Sequence, residues 1–159
     1  MQIDTVRFGT VDIDENKTIF FYEGIPGLED NRRYALLNLE DSNPIFWLQS
    51  VEDSGVCLPV VDTFKVLPEY AFNVSDEDVA DLGIWNPSDL HVMSILVIPE
   101  NIEGMTANLA APIIVNIKTG KAKQIILPDD NYVVRYPVFN NILSLAREED
   151  SDAGIIQED

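Results

Sequence analysis

The chain is built from short runs in which apolar residues alternate with polar ones, or in which β-branched and aromatic residues cluster, with turn residues between them. A period of two is the signature of strands that turn one face to a core. Strands are expected at Ile3 to Phe8, Thr18 to Tyr22, Tyr34 to Leu39, Ile45 to Gln49 and Cys57 to Val61. Further strands are expected at Tyr70 to Val74, Leu90 to Ile98, Pro112 to Ile117, Lys123 to Leu127 and Tyr132 to Tyr136. The connections carry turn chemistry. Gly24-Ile25-Pro26-Gly27 combines one fixed φ with two permissive glycines, and Lys118-Thr119-Gly120-Lys121 reads as a hairpin with Gly120 at positive φ. Many short strands with frequent turns point to an antiparallel barrel or sandwich.

Two short stretches break the strand pattern. Ser75-Asp76-Glu77-Asp78 is close to a capping box, with acids at the positive end of a helix dipole, and Gly83 supplies a stop. A second helix is expected from about Asn141 to Glu149, with Ile142, Leu145 and Ala146 on one face. After it comes Glu148-Glu149-Asp150-Ser151-Asp152, where like charges repel and little apolar area is available to order the chain. The expectation is a single mostly β domain at 1–147, with one or two short helices, followed by an acidic, flexible tail at 148–159. Ile155 and Ile156 are the tail's only apolar pair able to dock on the barrel or on a partner.

Charge narrows the functional classes. The chain has 28 acidic residues against 10 Lys and Arg, a formal net charge of -18. No Lys or Arg stands between Lys65 and Lys118, a stretch that carries Glu69, Asp76, Glu77, Asp78, Asp81, Asp89, Glu100 and Glu103. Such a surface repels phosphates and anionic lipid heads, which argues against a nucleic-acid or membrane-surface binder. A basic protein partner would meet it fast at low salt. The start of the chain lacks a signal peptide's basic region and apolar stretch, which favours the cytoplasm, and no apolar run spans a bilayer.

Candidate chemistry is sparse. Cys57 is the only cysteine and sits between Val56 and Leu58 as a small apolar residue would. His91 is the only histidine and lies in a strand-like run, so a structural or surface role is expected over general-base catalysis. Asp12, Asp14, Asn16 and Glu23 match positions 1, 3, 5 and 12 of a calcium loop, but Lys17 occupies the position that needs glycine, and the flanks alternate like strands. A charged hairpin tip feeding Thr18 to Tyr22 is the better reading. No glycine-rich phosphate loop is present, and no cofactor or metal is expected.

Four stretches in order resemble the FliW family of flagellar assembly factors: Gly24-Ile25-Pro26-Gly27-Leu28-Glu29, Phe46 to Asp53, Thr106 to Asn116 and Ala122 to Leu127. The resemblance covers about residues 2 to 139, the third stretch being the most specific. Leu28 departs from the aromatic usual at its position. The resemblance implies a small antiparallel β-barrel-like domain that is not an enzyme. It further implies binding to CsrA, a small dimeric RNA-binding repressor of flagellin translation, and to flagellin, which competes by capturing the factor.

The charge pattern fits a basic RNA-binding partner. Antagonism can arise by covering the RNA site with phosphate-like charge, or by docking beside it and shifting or obstructing it; the resemblance favours the second. Candidate partner contacts are Asp76, Glu77, Asp78 and Asp81 on the first helix, and Glu52 and Asp53 on a turn after the Phe46-Trp47-Leu48-Gln49 strand. A solvated helix face explains the first four equally well. Trp47 and Leu48 alternate, so one enters the core, and Leu48 is also a candidate contact. Asn108, Pro112 and Gln124 are expected to be scaffold, with Gln124 facing solvent. The alternatives are a small-molecule barrel of the flavin-binding kind, disfavoured by the cation-free middle, and an acidic chaperone for an aggregation-prone client.

Overall fold

Strands whose two faces are both buried, by different partners, are the organising feature of the computed structural model. It describes residues 1–38, 43–83, 86–128 and 130–158, with side chains described through Glu148. In chain order the strands are β1 (Gln2–Thr5), β2 (Gly9–Asp12), β3 (Ile19–Phe21), β4 (Arg33–Leu37), β5 (Ile45–Ser50) and β6 (Cys57–Asp62). They continue as β7 (Leu90–Val97), β8 (Thr106–Ala107), β9 (Ile113–Asn116), β10 (Lys121–Gln124) and β11 (Tyr136–Pro137). The helices are α1 (Thr63–Val66), α2 (Asp76–Leu82) and α3 (Phe139–Glu158).

Seven strands close a barrel in the order β7-β6-β5-β4-β3-β10-β9, with β9 returning to β7. All these pairings are antiparallel except β3 with β10, which is parallel. Closure leaves no free edge among these strands. The short β8 and β11 extend the sheet beside the end of β7.

Alternation sorts the side chains. Phe21, Tyr34, Leu48, Val60, Met93, Ile113 and Val115 point inward and form the barrel core. Their neighbours point outward, yet are covered. Ala35 and Leu37 lie under the β1–β2 hairpin with Ile3 and Trp47. Val61, Val92 and Leu96 lie under α1 and α3 with Val66 and Ile142. Ile114 packs with Leu82 of α2, Ile125 and Leu127. The unbroken apolar run Ile113-Ile114-Val115 of β9 follows from this double burial.

Several turns form as expected. Gly120 takes φ +76° between β9 and β10, and a Cβ there would meet the Thr18 carbonyl oxygen at 2.7 Å. Gly24 takes φ +75°, where a Cβ would meet Glu29 Cα at 2.8 Å, so the Gly-Ile-Pro-Gly turn has no room for a side chain at its first position. The calcium-like segment is not the expected hairpin tip, because β2 pairs with β1 while β3 pairs with β4 and β10; it joins the two sheets through a 3-10 turn at Glu15–Lys17 capped by Asp14.

Other segments differ from the sequence reading. The first strand stops at Thr5, because the Thr5 hydroxyl accepts from the Phe8 amide and donates to the Gly9 carbonyl, closing a turn into β2. Tyr70 to Val74 forms no strand. Tyr70 is instead held by its hydroxyl donating to the Leu109 carbonyl at 2.7 Å and by packing on Tyr132, ring centroids 4.4 Å apart. Tyr132 to Tyr136 contributes only Tyr136 to a strand. Gln124 does not simply face solvent; its amide donates to the Ala111 carbonyl at 3.1 Å. Helix α3 runs to Glu158, past the expected stop at Glu149. The expected strand end at Leu39 and the side chains of the acidic tail from 149 onward lie outside the described residues.

Candidate partner-binding surface

Helix α2 begins as its sequence dictates. Ser75 accepts a hydrogen bond from the Asp78 amide at 3.1 Å, and Gly83 ends the helix in the left-handed region at φ 68°. Asp76, Glu77 and Asp78 occupy the first turn, where the dipole favours negative charge. Leu82 is buried on the outside of the barrel beside Ile114, which fixes the helix against β9 and β10.

This docking divides the four helix carboxylates into two classes. Asp78 and Asp81, three residues apart, turn toward Lys123 of β10. The Lys123 ammonium donates to Asp78 Oδ1 at 2.6 Å and Asp81 Oδ2 at 3.3 Å, and Glu23 Oε1 lies at 3.6 Å. The bond from Lys123 holds the Asp78 carboxyl below its usual range, and the bond to Asp78 in turn drives Lys123 well above its own. Asp76 and Glu77 remain exposed and make no ion pair among the described residues. The cation-free stretch of sequence is therefore partly neutralised in space, by a lysine that lies beyond its end. One ammonium faces three carboxylates, and the cluster stays acidic.

Glu52 and Asp53 form the β5–β6 corner and are exposed, but both carboxylates are engaged by backbone. Glu52 Oε1 accepts from the Arg33 and Arg32 amides, each at 2.8 Å, and these bonds lower its pKa. Asp53 Oδ1 accepts from the Gly55 amide at 2.9 Å. The Ser50 hydroxyl accepts from the Glu52 and Asp53 amides and donates to Asn31 at 2.6 Å. No hydrogen bond or ion pair among the described residues joins this corner to α2.

Leu48 is corrected. It is fully buried in the barrel core, opposite Leu58 of β6 and Leu36 of β4, and presents nothing to a partner. The alternation that sends Leu48 inward sends Trp47 outward, where Phe8 packs edge-on and the Arg7 guanidinium lies 4.1 Å from the ring centroid. Both residues are thus covered.

Sequence reasoning missed the loop after β7. Val97, Ile98 and Ile102 are 59%, 37% and 52% exposed, and Glu100 and Glu103 are exposed among them. The signal was present as Val97-Ile98-Pro99-Glu100-Asn101-Ile102-Glu103, aliphatic and acidic residues with no cation, but Val97 and Ile98 read as the end of the strand from Leu90, and Ile102 fell outside every expected element. Strand direction places this loop and the Glu52 corner at the same end of the barrel, since β5 and β7 both finish there. Among the described residues, no group of three or more metal-ligating side chains is assembled, and no helix is long and apolar enough to cross a membrane.

Comparison with known proteins matches this arrangement. The family model described as FliW protein matches residues 2–138. The flagellar assembly factor FliW of Caldicellulosiruptor saccharolyticus is 39% identical over 137 residues, covering 86% of this chain and 90% of that protein. The FliW of Pseudothermotoga lettingae is 42% identical over 137 residues, covering 86% and 87%. A crystal structure of the flagellar assembly factor FliW superposes with a TM-score of 0.82 at 31% identity, covering 87% of this chain and 97% of that one. A seven-strand barrel and a sequence match running through nearly all of it lead to one conclusion: the chain belongs to the FliW family of flagellar assembly factors.

Proposed function

We propose that this protein acts by binding other proteins rather than by catalysis, in the cytoplasm, and that its partners are CsrA and flagellin. In this reading it lowers CsrA occupancy on a flagellin leader RNA, and flagellin competes for it, so flagellin synthesis follows flagellum assembly. The observation that carries the reading is the loop from Val97 to Glu103, which sets exposed aliphatic side chains beside exposed carboxylates with no cation among them. Carboxylates speed and orient the encounter with a basic partner, and aliphatic contacts supply affinity once water is excluded. Asp76 and Glu77 support it as exposed carboxylates with no ion pair among the described residues, while Asp78 and Asp81 contribute by orienting α2. Glu52 and Asp53 offer their remaining lone pairs at the same barrel end as the loop.

Calorimetry of the full chain with purified CsrA at low ionic strength is the direct test, repeated with flagellin added. Binding that weakens with salt and is displaced by flagellin is the expected result. Absence of heat and of any effect on RNA occupancy by CsrA would refute the reading.

A further inference from the structure

The barrel is closed around its girth but open at one end. β3 and β7 begin at this end, and β4 and β9 finish there. Ile19, Met93 and Val115, all of the inward-facing cluster, floor a cleft of about 360 Å³. Leu36 lines its wall and is 38% exposed, although its neighbour across the β4–β5 pairing, Leu48, is fully buried. The exposed aliphatic surface of the cleft is Leu36 with Ile117, set over a floor of buried core residues.

The rim is unlike the rest of the molecule. Among the described residues its ionisable side chains are Lys17, Lys118 and His91, with no Asp or Glu in the lining. In a chain with 28 acids and 10 Lys and Arg, the described lining carries two lysines and no acid, with Asp89 beside it paired to one of them. Lys17 is exposed and makes no ion pair among the described residues. Lys118 reaches Asp89 at 3.5 Å with its side chain 72% exposed, so its ammonium is still available to a ligand. Neither lysine falls in the cation-free middle of the sequence; both are carried to the rim, by the turn before β3 and the turn after β9.

We propose that this mouth binds a small medium-chain alkyl carboxylate, its tail among Ile19, Met93 and Val115 and its head at Lys17 and Lys118. Aliphatic lining with a few convergent charges is the usual composition of a small-molecule site. An extended peptide is disfavoured because its amides would need partners: β3 is paired on both sides, by β4 and β10, and the start of β7 is paired with β9 and followed by pairing to β6. The inference stands apart from the flagellar role, and neither depends on the other.

The test is a titration of the full chain with hexanoate, octanoate and decanoate below their micellar concentrations, followed by methyl and amide NMR. Chemical-shift changes confined to the mouth are expected, centred on Ile19, Leu36, Met93 and Val115, with affinity rising about fourfold per methylene. Lys17→Glu is expected to weaken decanoate binding about threefold or more at an unchanged melting temperature, since the residue is exposed. Decylammonium should show the opposite dependence, binding Lys17→Glu more tightly than wild type. Scattered or absent shifts at millimolar decanoate, affinity independent of chain length, or decanoate binding indifferent to Lys17→Glu would each overturn the proposal. Mouth shifts caused only by an added flagellin or CsrA, with decanoate inert, would also overturn it and assign the cleft to a protein contact.

Discussion

Replacing Lys123 by Met should destabilise the protein by much more than loss of a surface lysine would. Methionine keeps an unbranched apolar stem and removes the ammonium, with its charge and its hydrogen-bond donors. The Lys123 and Asp78 side chains are 18% and 23% exposed, and their bond is 2.6 Å long, so the pair is largely shielded from solvent. A charge-assisted bond of this kind contributes about 1.5–3 kcal/mol. Asp81 and Glu23 are 51% and 60% exposed, and each adds only several tenths, about 0.2–1 kcal/mol. The expected loss is about 2–5 kcal/mol, a fall in melting temperature of roughly 4–20 °C for a chain of this size.

The pH dependence gives a second reading of the same pair. Asp78 has a lowered pKa in the fold, so its contribution is present above its unfolded pKa and lost as pH falls through the folded value. Lys123 has a raised pKa, so its contribution is present below its unfolded pKa and lost only as pH rises through the folded value. The difference between wild type and Lys123→Met should therefore hold across neutral pH and shrink below about pH 4 as the carboxylates protonate. Thermal or urea melts of both proteins across that range are the assay. A fall of less than about 2 °C at pH 7, or a deficit as large in acid as at neutrality, would refute the account of α2 as clamped by this lysine.

Three further outcomes follow from the same geometry. Reversing Asp76 and Glu77 to lysine should slow association with CsrA in stopped-flow measurements while lowering the melting temperature only by the helix-dipole term, about 0.3–1 kcal/mol per charge; an unchanged association rate would remove these two residues from the interface. Glu52→Gln should cost about 1 kcal/mol, a value discounted for its exposure. Because the folded pKa is lowered, that deficit should be full at neutral pH and fade as pH falls through the carboxylate range, in denaturant melts at neutral pH and again in acid near the carboxylate pKa. Leu48→Ala should destabilise by about 2–5 kcal/mol, while calorimetry on the folded fraction finds partner affinity unchanged, as expected for a side chain buried in the core.

Local signals carried much of the fold. The Ser75 cap, the Gly83 stop and the Gly120 hairpin were legible because each depends on a few adjacent residues and on the φ they can adopt. The strands of the barrel were legible from alternation, because a closed sheet keeps one face of every strand inside. Tyr70 to Val74 has strand composition but stays irregular, since Tyr70 is claimed by Leu109 and Tyr132, residues far along the chain. Likewise the parallel pairing of β3 with β10, which closes the barrel, joins segments whose proximity no local pattern encodes.

The candidate surface divides the same way. Composition, alternation and motif order are enough to make the protein acidic, mostly β and FliW-like, with carboxylates concentrated in one cation-free stretch. Which of those charges stand free depends on the fold. It brought Lys123 against Asp78 and Asp81, left Asp76 and Glu77 in solvent, turned Leu48 into the core, and carried Lys17 and Lys118 to the barrel mouth. The physical reason is range. A turn or a cap is settled within a few residues, whereas a charge acts on whatever the fold places within a few ångströms of it, however distant in sequence.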